Sequence, residues 1–557
     1  MAPAWLRAAV LALLGGHLAL SVWPALFRIR NDVPSYYRTA RAAAEGRSLG
    51  GAYERPFWRE ESARAGLPTV GGFLPFPPPN ALLLLPVAGL SPVAAKGVWT
   101  AVLALALVGA FFGLRRIVPE LSPWLVALAL LTQTASLRNA LLYGQPYPLL
   151  LLLLCASLVA LARGQPFASG LLLAPVMALK LYGAPFLLFF VLTRRWRALL
   201  GVVTGVAGLV TVSLLVLGPE IHGVYVTQVL RPSLGGRILD PYSTVWGSAA
   251  SVARRLFQLE PELNPHPVLD APALATGLGH GAGVAIALFA IVCAALQDRA
   301  GRLRLAWATL AVGTLAASPL PSSYHMVLLA LPAAVLLASA GSDRERWSAL
   351  ALAAFAGSPL VHYLVPLAEG WGNVVAAPRL VALLALLWAC VREISSKRPL
   401  ALAIAGGALA GLTSLTVRPE DQGWQRVPDA HGVIVAEPRA CPEGLSWLVV
   451  AGERYRYRHG DGTLGDEPSC TPAAVSPDGA WSVRAAFTEG SWDLWARNER
   501  TGQERRVTRD PANEVEPAWM PDGRAIVFAS DRRRGLGATT LFVVPFDGAG
   551  SSSRGPF

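Results

Sequence analysis

The chain has 557 residues, 53% of them hydrophobic and only 15% charged. With a mean hydropathy of +0.44, this excludes a large soluble enzyme, whose fold could not cover so much apolar surface. The formal net charge of +12 does not point to nucleic acid, because many arginines sit in short clusters between apolar runs, the pattern of cytoplasmic loops in a membrane protein.

The first apolar run, Trp5 to Phe27, carries an arginine, Arg7, near its start and no convincing small-residue cleavage site. It reads as a retained anchor and not as a removed signal peptide. Directly after it comes Asn31-Asp32-Val33-Pro34-Ser35-Tyr36-Tyr37. A carboxylate just beyond the mouth of a membrane helix is costly unless it faces water, a partner or a substrate. The two tyrosines add stacking surface and hydroxyls beside it. Further on the chain reads Phe73-Leu74-Pro75-Phe76-Pro77-Pro78-Pro79-Asn80 and re-enters apolar sequence.

Basic clusters then punctuate the apolar runs: Arg115-Arg116, Arg163, Arg194-Arg195-Trp196-Arg197, Arg299 to Arg304, Arg344 to Arg346, and Arg392 with Lys397-Arg398. Placing all of them in the cytoplasm predicts about thirteen crossings. These start near Trp5, Val93, Leu121, Pro148, Phe167, Gly183, Ala198, Gly279, Leu303, Tyr324, Trp347, Arg379 and Leu400. Residues Phe167 to Thr193 read as a hairpin turning at Lys180, which puts Lys180 outside; the competing reading is one long crossing with Lys180 buried within it. The external segments are then Arg28 to Pro92, Arg138 to Tyr147, Pro219 to about Leu278, Ser318 to Ser323, and His362 to Pro378. Asn80 to Leu90 is too short to span and is expected as a helix on the outer face. Residues 1–417 form the membrane domain, with 28–92 as its first external loop, and 418–557 a small external all-β domain.

That tail begins after Val417-Arg418-Pro419-Glu420-Asp421-Gln422-Gly423, where strand-like alternation and Asp-Gly turns replace apolar runs. Ala474-Val475-Ser476-Pro477-Asp478-Gly479-Ala480-Trp481 is echoed 44 residues later by Ala518-Trp519-Met520-Pro521-Asp522-Gly523-Arg524-Ala525, a spacing that suits one propeller blade. These residues, with Trp492-Asp493-Leu494-Trp495 between the copies, resemble the repeats of TolB-type, WD40-like propellers. About three blades at most fit, fewer than a closed propeller needs. The tail is thus a partial propeller or a β-module that completes itself on a partner. Cys155, Cys293 and Cys390 lie in apolar runs and read as packing residues, whereas Cys441 and Cys470 can pair if the tail is exported.

The apolar part, from about Trp5 to Pro366, resembles glycosyltransferase family 87, polyprenol-phosphate-dependent glycosyltransferases of the GT-C fold. The likeness rests on Asn31-Asp32 with Tyr36-Tyr37 and Tyr53, on Phe76-Pro77-Pro78-Pro79, and on Tyr143-Gly144-Gln145. It continues through Gly170, Lys180 and Pro185 to the Arg194 cluster, and into Ser318-Pro319 with Ser322-Ser323-Tyr324-His325. The resemblance implies transfer of a sugar, mannose first among the candidates, from a polyprenyl-phosphate donor to a lipid or glycan acceptor. The place implied is the outer face of the bacterial cytoplasmic membrane.

Asp32 matches the catalytic aspartate of the family; otherwise it caps the following helix. His325 is the second candidate base, and the sequence leaves open which of the two removes the proton. Lys180, then Arg138, are the candidates for the donor phosphate, against plain snorkelling to lipid headgroups. Tyr36, Tyr37, Asn139 and Gln145 are candidate sugar contacts, and Arg231 and Arg237 weaker loop candidates.

No cofactor is required by these residues, and no second acidic cluster stands with Asp32 to hold a metal. Paired Cys-x-x-Cys, phosphate-loop and Gly-x-Ser-x-Gly motifs are missing from the sequence. The alternatives are a transporter or lipid flippase, which calls for internal repeats and ionisable residues at the midplane, and an envelope sensor anchored by its helices. The tail is left three roles: binding the acceptor glycan, binding an envelope protein, or stabilising the external loops.

Overall fold

The computed structural model describes residues 3–29, 32–67, 72–362, 365–394, 396–414, 424–428, 430–451, 454–472 and 474–547. Asn31 and the boundary Val417 to Gly423 lie outside the described residues. The chain is helical up to Ser414 and all-β from Gln425 onward.

Four helical runs are long and apolar enough to cross a membrane: Ala4–Ala44, Pro92–Ile117, Trp196–Leu217 and Pro272–Arg299. Pro123–Leu131 and Thr134–Leu142, bent by 64° at their junction, make a fifth span if the pair counts as one. Tyr147–Ala162, Pro166–Lys180, Leu303–Ala317, Ser323–Ser339, Pro378–Val391 and Arg398–Thr413 are apolar but only 10–17 residues long, below the ~20 that a crossing takes. By length and composition the described residues thus hold four such spans, five with the bent pair, and six shorter apolar helices beside the about thirteen crossings expected. Helices begin near the expected places, yet the apolar runs include turn residues that add no helical length. Ala184–Leu192, for example, has nine residues, about 14 Å of helix. Asn80 to Leu90 is not a continuous helix either: it folds as the 3₁₀ turns Pro78–Leu83 and Leu85–Val87.

The arginine-rich ends meet on one face of the bundle. Arg195 pairs with Asp298 at 2.7 Å, Arg304 with Glu120 at 2.6 Å, Arg392 with Glu345 at 2.6 Å, and Arg302 with Glu393. Pro166–Lys180 and Trp196–Leu217 lie side by side in the same direction, with Gly170 against Ala198 and Ala174 against Gly205. The intervening Ala184–Leu192 must therefore return, as the hairpin reading expects. Its turn at Leu181, whose φ is +57°, ends the outgoing helix at the face opposite the arginines. Lys180, the last residue before that turn, is half-buried under the first loop. Elsewhere Pro272–Arg299 and Arg398–Ser414 approach backbone to backbone along Gly281 and Gly411, the close contact that small residues allow between membrane helices.

Three antiparallel sheets make up the tail. The first holds β2 (Val435–Cys441), β3 (Gly444–Ala451), β4 (Arg454–Arg458) and β5 (Leu464–Gly465), and the second β6 (Trp481–Thr488), β7 (Ser491–Asn498) and β8 (Glu504–Arg506). In the third, β9 (Glu514–Trp519), β10 (Ala525–Ser530) and β11 (Thr540–Pro545) are joined at the edge by β1 (Gln425–Arg426). The chain's first tail strand thus pairs with its last, Gln425 opposite Val543. The third sheet sits between the other two, sharing Trp519, Ile526 and Phe528 with Val483 and Leu494 on one side, and Ala529 and Leu541 with Val435 and Trp447 on the other. Cys441 and Cys470 form a disulfide.

The tail docks on the loops of its own helical part. Arg534 is buried between Glu260 (3.1 Å) and Glu262 (3.0 Å), which also bind Arg426 at 2.8 and 3.0 Å. Arg59 of the helix Arg55–Ala65 reaches Glu437 at 2.8 Å. Leu536 and residues 237–239 exchange backbone hydrogen bonds of 2.9 and 3.0 Å. The surface on which the β-module rests is therefore supplied within the same chain.

Candidate active site

Asp32 opens the helix Asp32–Ala44, and Tyr36 follows one turn later on the same side. The Asp32 carboxylate accepts a hydrogen bond from Gln145 Nε2 at 2.6 Å, and Gln145 Oε1 accepts one from the Tyr36 hydroxyl at 3.2 Å. Lys180 Nζ donates to the same Tyr36 oxygen at 3.0 Å. One acid and one cation, from distant stretches of sequence, are thus joined through an amide and a phenol.

Aromatic rings enclose the cation. Lys180 Nζ lies 4.1 Å from the centre of the Phe76 ring, 5.6 Å from Tyr36 and 5.8 Å from Tyr147, all within cation–π range. Phe76 belongs to the proline-rich stretch of the first loop, where fixed φ angles stiffen the chain. That stretch is tied down on both sides: the Tyr53 hydroxyl donates to Phe76 O at 2.7 Å, and Asn80 Nδ2 to Pro77 O at 2.8 Å and Leu179 O at 2.9 Å. It forms a roof over Tyr36, which is fully buried.

The floor is the turn that carries Gln145. Lys96, buried in the helix Pro92–Ile117, donates to Leu141 O at 2.5 Å, and Trp99 Nε1 to Gly144 O at 2.7 Å. Gly144 has φ +64°, and any side chain there would start 2.2 Å from a Val33 methyl. Glycine is required at this point, because Gln145 has to come this close to Asp32.

His325 stands one aromatic layer behind Lys180. Its ring stacks on Tyr147, with centroids 4.5 Å apart, and its Nδ1 lies 2.5 Å from the Tyr182 hydroxyl and 3.1 Å from Ser322 N. A backbone N–H can only donate, so Nδ1 is an acceptor and the neutral ring carries its proton on Nε2.

Asp32, Tyr36, Gln145 and Lys180 are therefore brought together, with His325 behind them. Tyr37 is not, since it is buried facing away and donates to Leu90 O at 2.6 Å. Asn139 donates to Ser323 Oγ at 2.8 Å. Arg138 is exposed and forms no hydrogen bond or ion pair among the described residues. The sequence did not single out Lys96, Tyr147 or Tyr182. Tyr147 stands two residues past Gln145 and Tyr182 two past Lys180, but only their packing reveals their part. Among the described residues no group of three or more His, Cys, Asp or Glu is placed to hold a metal ion.

This arrangement stands at one end of an apolar helical bundle. Residues 73–323 match the profile of glycosyltransferase family 87, and the helical part is similar to that family of membrane glycosyltransferases. The matched region contains Arg138, Asn139, Gln145 and Lys180; Asp32, Tyr36 and Tyr37 precede it and His325 follows it. The Tol-Pal system protein TolB of Anaeromyxobacter dehalogenans strain 2CP-C is 35% identical to the chain over 120 residues, 20% of this chain and 27% of that protein. The TolB of strain 2CP-1 / ATCC BAA-258 is similar to the same extent. The chain thus spans about a quarter of the length of these curated relatives. The all-β tail is TolB-like.

Proposed function

We propose that the chain is an inverting glycosyltransferase that uses a polyprenyl-phosphate sugar, with mannose the first candidate, on the outer face of the bacterial cytoplasmic membrane. The observation that carries this reading is the linkage of Asp32 to Lys180 through Gln145 and Tyr36 under the Phe76 roof. Asp32 takes the proton from the acceptor hydroxyl as that oxygen attacks the anomeric carbon. The bond from that carbon to the donor phosphate breaks, and the phosphate leaves with the electron pair. Lys180 exchanges Tyr36 for the phosphate and offsets its growing negative charge. Gln145 holds the carboxylate in line for the acceptor.

Between the two candidate bases, the tautomer favours Asp32. His325 already uses Nδ1 as an acceptor, and its Nε2 carries a proton to donate. His325 is assigned the role of holding Tyr147 and Tyr182 around Lys180. The positive-inside tendency supports reading the arginine-rich face as cytoplasmic and the site and the tail as outside.

The test is sugar transfer by purified protein in nanodiscs, offered a panel of polyprenyl-phosphate sugars and envelope lipid extract as acceptor source. Wild type should consume one donor and Asp32→Asn none, with the variant's unfolding temperature unchanged. Turnover by Asp32→Asn at the wild-type rate would remove Asp32 from the reaction.

A further inference from the structure

A second concentration of positive charge lies on the same face as Asp32, in the segment that follows Trp196–Leu217. The chain turns there at Gly235–Gly236, and buried Arg254 fixes the turn by donating to Gly236 O at 3.0 Å and Gly235 O at 3.4 Å. Two nitrogen-bearing side chains converge on that turn: His280 Nε2 and Arg237 Nε lie 3.4 and 3.6 Å from the point where a side chain on Gly235 would begin. Arg231 accepts the Gly235 N–H on its carbonyl at 3.1 Å, and its guanidinium is in electrostatic reach of Arg237. Asp531 of the tail is the acid facing Arg237. Asp240 is the acid in electrostatic reach of Arg254, and two carboxylates against the guanidinium groups of Arg231, Arg237 and Arg254 still leave a surplus of positive charge.

Arg231 and Arg237 are exposed, and their side chains form no hydrogen bond or ion pair among the described residues. Neighbouring like charges repel unless an anion lies between them. The fold nevertheless holds them in place. Leu239 N donates to Leu536 O at 2.9 Å, Leu536 N to Arg237 O at 3.0 Å, and the Tyr242 hydroxyl to Arg533 O. On its far side the turn packs Gly236 against Pro319. The neighbouring Ser318 hydroxyl is 3.4 Å from Tyr182. The cluster and Lys180 thus flank the same Ser318–His325 strip.

We propose that Arg231, Arg237 and His280 form a second phosphate-binding subsite, apart from Lys180, that takes the phosphate of an anionic lipid acceptor. The subsite rests on the transferase reading above and narrows its acceptor to a phosphate-bearing lipid. Guanidinium forks match phosphate oxygens in pairs, and an acceptor anchored there would have its sugar end free to reach toward Asp32.

The test is thermal unfolding of the full-length protein in detergent, titrated with dioctanoyl phosphatidylglycerol, dioctanoyl phosphatidylcholine or inorganic phosphate. Phosphatidylglycerol should raise the unfolding temperature saturably. The double variant Arg231→Gln/Arg237→Gln should weaken that effect by about tenfold or more in concentration, and Arg231→Lys/Arg237→Lys by about threefold at most. Lys180→Ala and Arg138→Gln should leave it unchanged. An unaltered response in the double glutamine variant overturns the proposal, as does an equal loss in Arg138→Gln, which marks bulk headgroup contact. Loss in Lys180→Ala reduces the two sites to one, and equal binding of inorganic phosphate or phosphatidylcholine removes the anionic lipid as ligand. Because the readout is binding, a failed transfer assay and a failed subsite remain separate results.

Discussion

Two of the places where the chain buries charge do so in opposite ways. At the seam between tail and loops, Glu260 and Glu262 face Arg426 and Arg534, and each carboxylate meets both guanidiniums. Arg534 donates further to Gly432 O at 2.8 Å and Thr539 O at 3.1 Å. Beneath the Phe76 roof the acid and the cation do not touch in this way; neutral Gln145 and Tyr36 stand between them. A fully paired network fixes geometry and has no proton or anion left to exchange. The spaced pair keeps a carboxylate that can take a proton and an ammonium that can change partners.

The largest effect expected from breaking this contrast is on Asp32. Asp32→Asn keeps the Gln145 side occupied but removes the base, and transfer should fall by about 10²–10⁴-fold, read as turnover of the donor. Arg534→Met leaves Glu260 and Glu262 short of a partner in the seam. That should cost about 3–5 kcal/mol and free the tail, checked by unfolding temperature and by protease cleavage after residue 414.

Lys96 touches no reacting atom in this reading; it holds the Gln145 turn through Leu141 O. Lys96→Met should lower kcat by about ten- to a hundredfold with KM nearly unchanged. An equal rise in KM would show that the turn serves binding instead.

Glu514 sharpens the contrast from a third position. It is buried in β9 near Asp510, Asp531 and Asp493, and burial followed by those like charges pushes its carboxyl up to about 10. With the folded pKa above the unfolded one, the folded tail binds the extra proton. Its stability is therefore full below the ordinary glutamate range and falls as pH rises toward 10. Glu514→Gln should flatten unfolding temperature against pH between 5 and 9; an unchanged slope would assign the dependence to other groups. The smallest effect belongs to Arg138→Gln, which should change transfer by less than about twofold because that side chain is exposed and unpaired among the described residues.

Much of this was legible from local pattern. Apolar runs with arginines at their ends dictated a helical membrane bundle and gathered those ends on one face. The Asp-Gly turns and the repeat 44 residues apart dictated sheets. Helix lengths were not legible, because hydropathy cannot distinguish a turn of apolar residues from another turn of helix. Sequence also gave no sign that Tyr37 would face Leu90 while Tyr36 faced Gln145.

Residue types alone determined that this chain would enter a membrane and carry a β tail, since both follow from the free energy of apolar surface and from backbone periodicity. Only the tertiary structure decided that Lys180 would lie in an aromatic cage next to Asp32, that Lys96 would hold a turn, and that the tail would rest on its own loops. Those outcomes depend on contacts between residues far apart in sequence, which no local pattern encodes.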